Sequence, residues 1–246
     1  MLIVNSIVFG PVNSRRLGRS LGVNLTLHKT CNMDCVYCEC GKTTCLTNDR
    51  KNDYDPDTVL KEIEEAVKKE GHLDFITFAG SGEPSLFKDI KKIVKGIKKK
   101  FPHIKLAIIT NSTLLTDKDV FEAFLEADVL LPSIDSVREE SFKKMNRPHP
   151  SLKLDKILEA LLRFKKEYKG KMWAEVFICH GINDTDEELT ALRDYLLKLN
   201  PDKLQINTLD RKGTEDWVQP LDKNELKRVI GYFKGLNVEP VARKLS

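Results

Sequence analysis

The chain has 246 residues and a mass of 28.1 kDa, enough for one large domain that buries roughly 70–75% of its unfolded surface without disulfides. Hydrophobic residues make up 41% and charged residues 32%, a globular composition that excludes a disordered chain, a collagen and a coiled coil. Forty-one Lys and Arg against 37 Asp and Glu leave a net charge of +4, which permits an anionic partner without demanding one.

No apolar run approaches the ~20 residues that cross a bilayer. The start, Met1 to Gly10, is apolar but broken at Asn5 and Ser6, and its charges (Arg15, Arg16, Arg19) follow the apolar part, the reverse of a secretory signal. The expectation is a cytoplasmic protein with no membrane partner, whose residues 1–20 form an extended segment or first strand. Leu21 to Leu27 reads as a strand and leads into a cysteine-rich loop. Beyond it, strands and helices alternate. Asp57 to Glu70 is helix, Asp74 to Ala79 a buried strand, Asp89 to Lys100 an amphipathic helix and Lys105 to Thr110 a strand. Asp117 to Glu126 is helix with Thr116 as its cap, and Asp128 to Ile134 a strand. Leu152 to Tyr168 is helix, Met172 to Ile178 strand, Asp186 to Leu199 helix and Lys203 to Asn207 strand. The Lys-rich stretch Ile90 to Lys100 carries its Ile and Val at helical spacing, so its lysines read as a solvated face. The repeating unit predicts an α/β fold with a parallel sheet. With no early Gly-x-Gly-x-x-Gly turn, a barrel or partial barrel is favoured over a Rossmann sheet. The tail, 211–246, holds a helix (Lys223 to Lys234) and a last strand (Val238 to Ala242), placed to close or flank the barrel.

Of six cysteines, Cys31, Cys35, Cys38, Cys40 and Cys45 crowd one loop, and Cys179 stands alone in an apolar strand as a packed thiol. Such crowding points to metal rather than a disulfide framework. Cys31, Cys35 and Cys38 are spaced C-x₃-C-x₂-C, so that one loop presents three thiolates from one side. Zinc and iron–sulfur clusters both accept thiolates. A structural zinc site closes four ligands, usually as two C-x₂-C pairs; only one such pair exists here, with Cys40 or Cys45 available as a fourth ligand. In a cubane, three cysteines leave one iron open to a nitrogen or oxygen donor, and an open position marks a catalytic centre. Polar residues sit where the strands end: Gly80-Ser81-Gly82-Glu83-Pro84, Asn111-Ser112, Ser133 and Asp135, His180 to Asp184, and Asn207 with Arg211. In a barrel, one mouth collects them all.

Cys31, Cys35, Tyr37 and Cys38, followed by the Gly80–Pro84 turn, resemble the radical S-adenosylmethionine superfamily over about residues 20 to 210. The resemblance implies a partial (β/α)₆ TIM-type barrel over residues 21–210 with a short C-terminal extension, a [4Fe–4S] cluster held by Cys31, Cys35 and Cys38, and S-adenosylmethionine on the open iron. One electron, from an external donor such as a flavodoxin or ferredoxin, splits the sulfonium and yields a 5′-deoxyadenosyl radical that takes hydrogen from a substrate. It further implies that the Tyr37 segment touches adenine, mainly through backbone. Gly80, Ser81 and Gly82 give the cofactor's methionine close access, and Glu83 helps hold its ammonium. Asn111, Ser133 and Asp135 meet ribose or carboxylate. Ser133-Ile134-Asp135 and Asn146-Arg147-Pro148 look like segments of the wyosine-tRNA synthesis group, although this chain has no cysteine before Cys31 for that group's second cluster. Val176 to Glu187 looks like glycyl-radical activating enzymes. A small molecule, a tRNA base and a protein all stay open as substrates, against the alternative of a non-catalytic zinc or iron–sulfur RNA-binding module.

Overall fold

The computed structural model describes residues 6–14 and 16–241. The strands are β1 (Val8–Ser14), β2 (Gly18–Val23), β3 (Thr30–Cys31), β4 (Cys45–Leu46), β5 (Phe75–Phe78), β6 (Lys105–Thr110), β7 (Val129–Pro132), β8 (Lys171–Phe177), β9 (Lys203–Asn207) and β10 (Val238–Pro240). The helices are α1 (Pro56–Glu70), α2 (Ile90–Lys100), α3 (Lys118–Phe124), α4 (Glu139–Asn146), α5 (Leu154–Glu167), α6 (Asp186–Leu199) and α7 (Lys223–Tyr232).

Eight strands form one sheet in the order β1-β2-β5-β6-β7-β8-β9-β10. Neighbours from β2 to β10 run parallel, and β1 lies antiparallel to β2. The fold is α/β with a mostly parallel sheet, a partial barrel. Phe75 to Phe78 and Val129 to Pro132 are buried at every position, as strands covered on both faces must be. Alternation divides their side chains between two layers. Ile76, Phe78, Ile108 and Leu130 pack with helical Ile63, Ile93, Ile97, Phe124 and Phe164 in the main core. Phe75, Ala107, Val129 and Leu131 gather with Leu17 and Trp173 in a second cluster on the other face.

Local chemistry explains the helix ends. The Asp55 side chain accepts from the Thr58 N–H at 2.9 Å, and Pro56 opens α1. Asp222 and Glu225 form a reciprocal capping box at α7. Buried Ile90, Ile93, Val94 and Ile97 dock α2, whose Lys91, Lys92, Lys98 and Lys100 pair with Glu122, Asp57, Asp128 and Glu64. Its basic stripe is therefore largely neutralised within the chain.

Several sequence expectations are corrected. Asp117, not Thr116, caps α3, accepting from the N–H groups of Asp119 and Val120, because a carboxylate reaches both. The strand expected over Leu21 to Leu27 ends at Val23, where the cysteine loop departs, and β2 begins earlier because Val8 to Ser14 pairs with it as a hairpin. Helix α4 was not anticipated: it lacks a side-chain cap and buries little more than Phe142 and Met145 along its apolar face. The last strand adds to β9 at the sheet edge, and Ala242 lies outside the described residues, as do Met1 to Asn5 and Arg15. Among the described residues no helix is long and apolar enough to cross a membrane.

Asp202, between α6 and β9, ties the sheet to α5. Burial alone would raise its carboxyl, but donation from Lys171 Nζ, the Met172 N–H and Lys165 Nζ outweighs burial and holds it well below the usual carboxylate range. A folded-state pKa below the unfolded one gives stability that is present above about pH 4 and lost as the pH falls through the folded value. Asp202→Asn should therefore be less stable than wild type at pH 7 in urea titrations, with the gap closing on acidification below about pH 4.

Candidate functional site

The site lies at the C-terminal ends of the parallel strands, where residues 24–55 leave β2 as a long loop. Thr30 and Cys31 pair with Cys45 and Leu46, folding the loop back on itself. Two tight turns follow, from the Cys38 N–H to the Cys35 carbonyl (3.2 Å) and from the Gly41 N–H to the Cys38 carbonyl (3.0 Å). Neighbouring elements pin the loop through its backbone. The N–H groups of Asp34 and Val36 donate to the carbonyls of Asn146 and Met145 at the end of α4, at 3.0 and 2.9 Å. From the segment after β9, the Glu215 N–H reaches the Val36 carbonyl at 3.0 Å and Thr214 Oγ1 the Cys38 carbonyl at 3.2 Å.

This folding brings Cys31, Cys35 and Cys38 to one cavity of about 220 Å³, together with Lys29, Tyr37, Gly82, Glu83, Asn111, Ser133 and Asp135. Its other wall is apolar, from Phe142 of α4 and Leu154, Ile157, Leu158 and Leu161 of α5. Cys40 turns aside, its Sγ 3.4 Å from the Gly80 carbonyl, and Cys45 is exposed. Cys179 is buried against Val36, Met145 and Phe177 as a packed thiol. Among the described residues no three His, Cys, Asp or Glu side chains gather closely enough to hold a single metal ion.

Two buried carboxylates carry the architecture. Both sit at strand ends, and burial raises both above the usual carboxylate range against the pull of their hydrogen bonds. Glu83 Oε1 accepts from the Ser85 N–H (3.0 Å), Ser85 Oγ (2.7 Å) and Thr110 Oγ1 (2.7 Å), while Oε2 accepts from the Asn111 N–H (2.8 Å). Asp135 Oδ1 accepts from the Phe177 N–H (2.9 Å), and Oδ2 from Tyr37 Oη (2.5 Å) and Asn146 Nδ2 (2.8 Å). Tyr37 also stacks on Phe177, with ring centroids 4.0 Å apart and planes 9° from parallel. These three residues, expected as cofactor contacts, spend their polar atoms on the protein.

The glycine turn has a similar internal reason. A Cβ on Gly80 would stand 2.2 Å from Asn24 Oδ1, and one on Gly82 1.9 Å from the Thr30 carbonyl. Ser81 Oγ donates to the His28 carbonyl at 2.6 Å. The turn thus presses against the cysteine loop, and of its glycines and serine only Gly82 lines the cavity. Asn111 joins the loop too, its Nδ2 2.6 Å from Asn32 Oδ1 and 3.8 Å from Cys31 Sγ. His180 is an exposed side chain whose Nδ1 lies 2.8 Å from Asp184 Oδ2. Arg211 pairs with Glu39 of the cysteine loop.

Sequence reasoning missed the parts played by Lys29, Asn146 and Gly213, and placed Ser112 at the mouth without a role. Lys29 and Asn146 both flank the thiols, at 8% and 3% exposure. Asn146 belongs to a noticed segment, yet nothing local marks its reach to Cys35. Ser112 lines the cavity in a left-handed conformation (φ 65°) with a buried hydroxyl that has no partner among the described residues. Gly213, far along the chain, lets its segment approach Tyr37: a Cβ there would lie 2.8 Å from the Tyr37 carbonyl.

The thiols are not equivalent. Burial pushes Cys31 up to about 12 and Cys35 further. Cys38 is lowered to about 6 by hydrogen bonding from Cys40, helped by Lys29. Thiolates bind metal, so burial at Cys31 and Cys35 opposes the metal-binding form and the hydrogen bonds at Cys38 favour it. An all-thiolate group of three, a cavity beside it and no fourth cysteine on its wall fit an iron–sulfur cluster with one iron left for a second cofactor.

A family model described as the radical SAM superfamily matches residues 25–196. A UPF0026 protein of Methanocaldococcus jannaschii is 38% identical over 230 residues, covering 93% of this chain and 71% of the relative. A Brachyspira hyodysenteriae protein named GTPase Obg is 37% identical over 227 residues, 92% of this chain but 33% of that protein, so the chain spans about a third of its length. Among solved structures, a radical SAM methyltransferase from Sphaerobacter thermophilus superposes with a TM-score of 0.69 at 14% identity, over 91% of this chain and 66% of that one.

The close approach at Gly82 makes a sharp expectation. Gly82→Ala should cost about 1–3 kcal/mol, the usual penalty of overpacking against backbone. Gly231, inside α7 with nothing within 4 Å, is the control, and Gly231→Ala should be neutral or stabilising by up to about 1 kcal/mol. Urea denaturation of the two variants checks the contrast.

Proposed function

The chain belongs to the radical SAM superfamily, whose members use a [4Fe–4S] cluster and S-adenosylmethionine, and we propose that Cys31, Cys35 and Cys38 hold the cluster in this chain. The observation that carries this reading is the convergence of three thiols on one cavity whose wall includes neither Cys40, which hydrogen-bonds Cys38 from behind, nor the exposed Cys45. When bound, the two cofactors supply reductive cleavage of a sulfonium and, from it, hydrogen-atom abstraction from substrate, with the electron coming from an external donor.

The protein's part is to bind, orient and exclude water. Tyr37, held in place through its neighbour Val36 by α4 and the 213–215 segment, forms the wall facing adenine. Gly82 offers backbone beside the cavity where the methionyl group sits. Glu83 orients the Asn111 N–H and the turn instead of reaching the ammonium itself, and Asp135 orients the loop. Ser133 and Ser112 are the cavity hydroxyls left for cofactor or substrate. The apolar wall from α4 and α5 keeps water from the reacting centre.

The likeness to the wyosine group rests on Ser133 to Asp135 and Asn146 to Pro148. Those segments meet at the 2.8 Å bond between Asn146 and Asp135, where they brace the cysteine loop. The likeness therefore speaks for a common loop architecture, and a tRNA base is one substrate class among small molecules and proteins.

Anaerobic reconstitution should load about four irons and four sulfides per chain, and reduced protein should convert S-adenosylmethionine to 5′-deoxyadenosine. Cys31→Ala, Cys35→Ala and Cys38→Ala should each abolish turnover and cut iron content, while Cys40→Ala keeps both. A single tightly held zinc lost with Cys40→Ala, and intact cofactor after reduction, would overturn the reading.

A further inference from the structure

We propose that each thiol facing the cavity has a hydrogen-bond donor from outside the cysteine motif, Asn111 for Cys31, Asn146 for Cys35 and Lys29, beside Cys40, for Cys38, and that these donors together set how readily the bound cluster accepts an electron. The proposal rests on the cluster reading above and adds the control of its potential.

Asn146 Nδ2 lies 3.4 Å from Cys35 Sγ and 2.8 Å from Asp135 Oδ2. An amide nitrogen carries two hydrogens, so one donor serves the carboxylate while the other serves the sulfur. Asn111 repeats the device, with Asn32 Oδ1 at 2.6 Å as its anchor and Cys31 Sγ at 3.8 Å. In both cases an oxygen acceptor fixes the amide so that its remaining N–H is aimed at a sulfur. Lys29 completes the set. Its Nζ donates to Thr43 Oγ1 at 3.2 Å and is within hydrogen-bonding reach of Cys38. Among the described residues it makes no ion pair with a carboxylate. A buried ammonium without a carboxylate counter-ion directs its charge at whatever anion the thiolates assemble.

The three donors come from three separate parts of the fold: the residue after β6, the last residue of α4 and the residue before β3. Their convergence is a tertiary property, and each reaches a different sulfur. Hydrogen bonds to cluster sulfurs and nearby positive charge favour the more negative, reduced state, and so raise the potential.

The test is an EPR-monitored redox titration of the reconstituted full chain without S-adenosylmethionine. Lys29→Met keeps the stem and removes the charge; Asn146→Leu keeps the shape and removes the N–H. Each should lower the reduced-to-oxidised ratio about tenfold at a fixed potential near the wild-type midpoint, a shift of about 59 mV for a one-electron couple. Asn111→Leu should shift it less, because its bond is longer. Lys29→Arg should restore most of the wild-type value. Lys227→Met, which removes an exposed charge on α7 outside the cysteine loop, should leave the potential in place. If Asn146→Leu fails to fold, Lys29→Met and Lys29→Arg still decide. Wild-type potentials in Lys29→Met and Asn146→Leu proteins that hold full iron, or an equal shift in Lys227→Met, would overturn the proposal while leaving the cluster assignment standing. A wild-type chain that takes up no iron would overturn both.

Discussion

A buried carboxylate must be answered by donors, and in this chain the need to answer Asp135 decides where the cysteine loop sits. Its three bonds come from the loop (Tyr37), from α4 (Asn146) and from the end of β8 (the Phe177 N–H). Leaving any one unmade would expose the cost of a desolvated charge, about 1–3 kcal/mol or more. The same locus is tied again when Asn183 Nδ2 donates to the carbonyls of Asp135 (2.7 Å) and Phe177 (2.8 Å), joining the ends of β7 and β8. The side of the loop that carries Tyr37 thus inherits its position from a rigid sheet rather than from its own sequence.

Glu83 performs the matching task on the other side, where it joins the turn after β5 to the end of β6. The Glu83 N–H donates to the Thr30 carbonyl at 3.1 Å, so this second carboxylate is coupled to the segment that carries Cys31. Between the two anchors the cavity is kept open, and the 213–215 segment lies against the outer face of the loop. Arg147 adds an ionic tie by bonding Glu215 Oε1 at 2.5 Å. Rigid strand ends, buried anchors and a covering segment hold the three thiols in place through the protein's own bonds, a preorganised arrangement.

Much of this was legible in the sequence, for reasons of period and spacing. The buried strands and the amphipathic helices α1, α2, α5 and α6 announce themselves because one face or both faces must be apolar. The cysteine motif is legible because three cysteines within one loop leave a local pattern. What escaped notice is non-local. Helix α4 has only a short apolar face and no side-chain cap, and Lys29, Asn146 and Gly213 acquire their meaning only through partners distant along the chain or in space. The roles given to Glu83 and Asp135 illustrate the same limit. A sequence motif places a carboxylate at a strand end, but only packing reveals whether its oxygens face the cavity or the protein.

That distinction bears on specificity. The segments that invite comparison with particular relatives, Ser133 to Asp135 and Asn146 to Pro148, converge on the machinery that holds the thiols. Residues that serve the loop are constrained by the loop, whatever molecule approaches it. The part of the cavity that no motif covers is the apolar face made by Phe142, Leu154, Ile157, Leu158 and Leu161. Such a wall distinguishes ligands by shape and by methylene-sized increments of about 1–3 kcal/mol, and it rejects an added charge far more strongly than an added carbon. A molecule that fits this cavity presents an apolar flank to α4 and α5 and keeps its polar groups toward the Ser112 and Ser133 side.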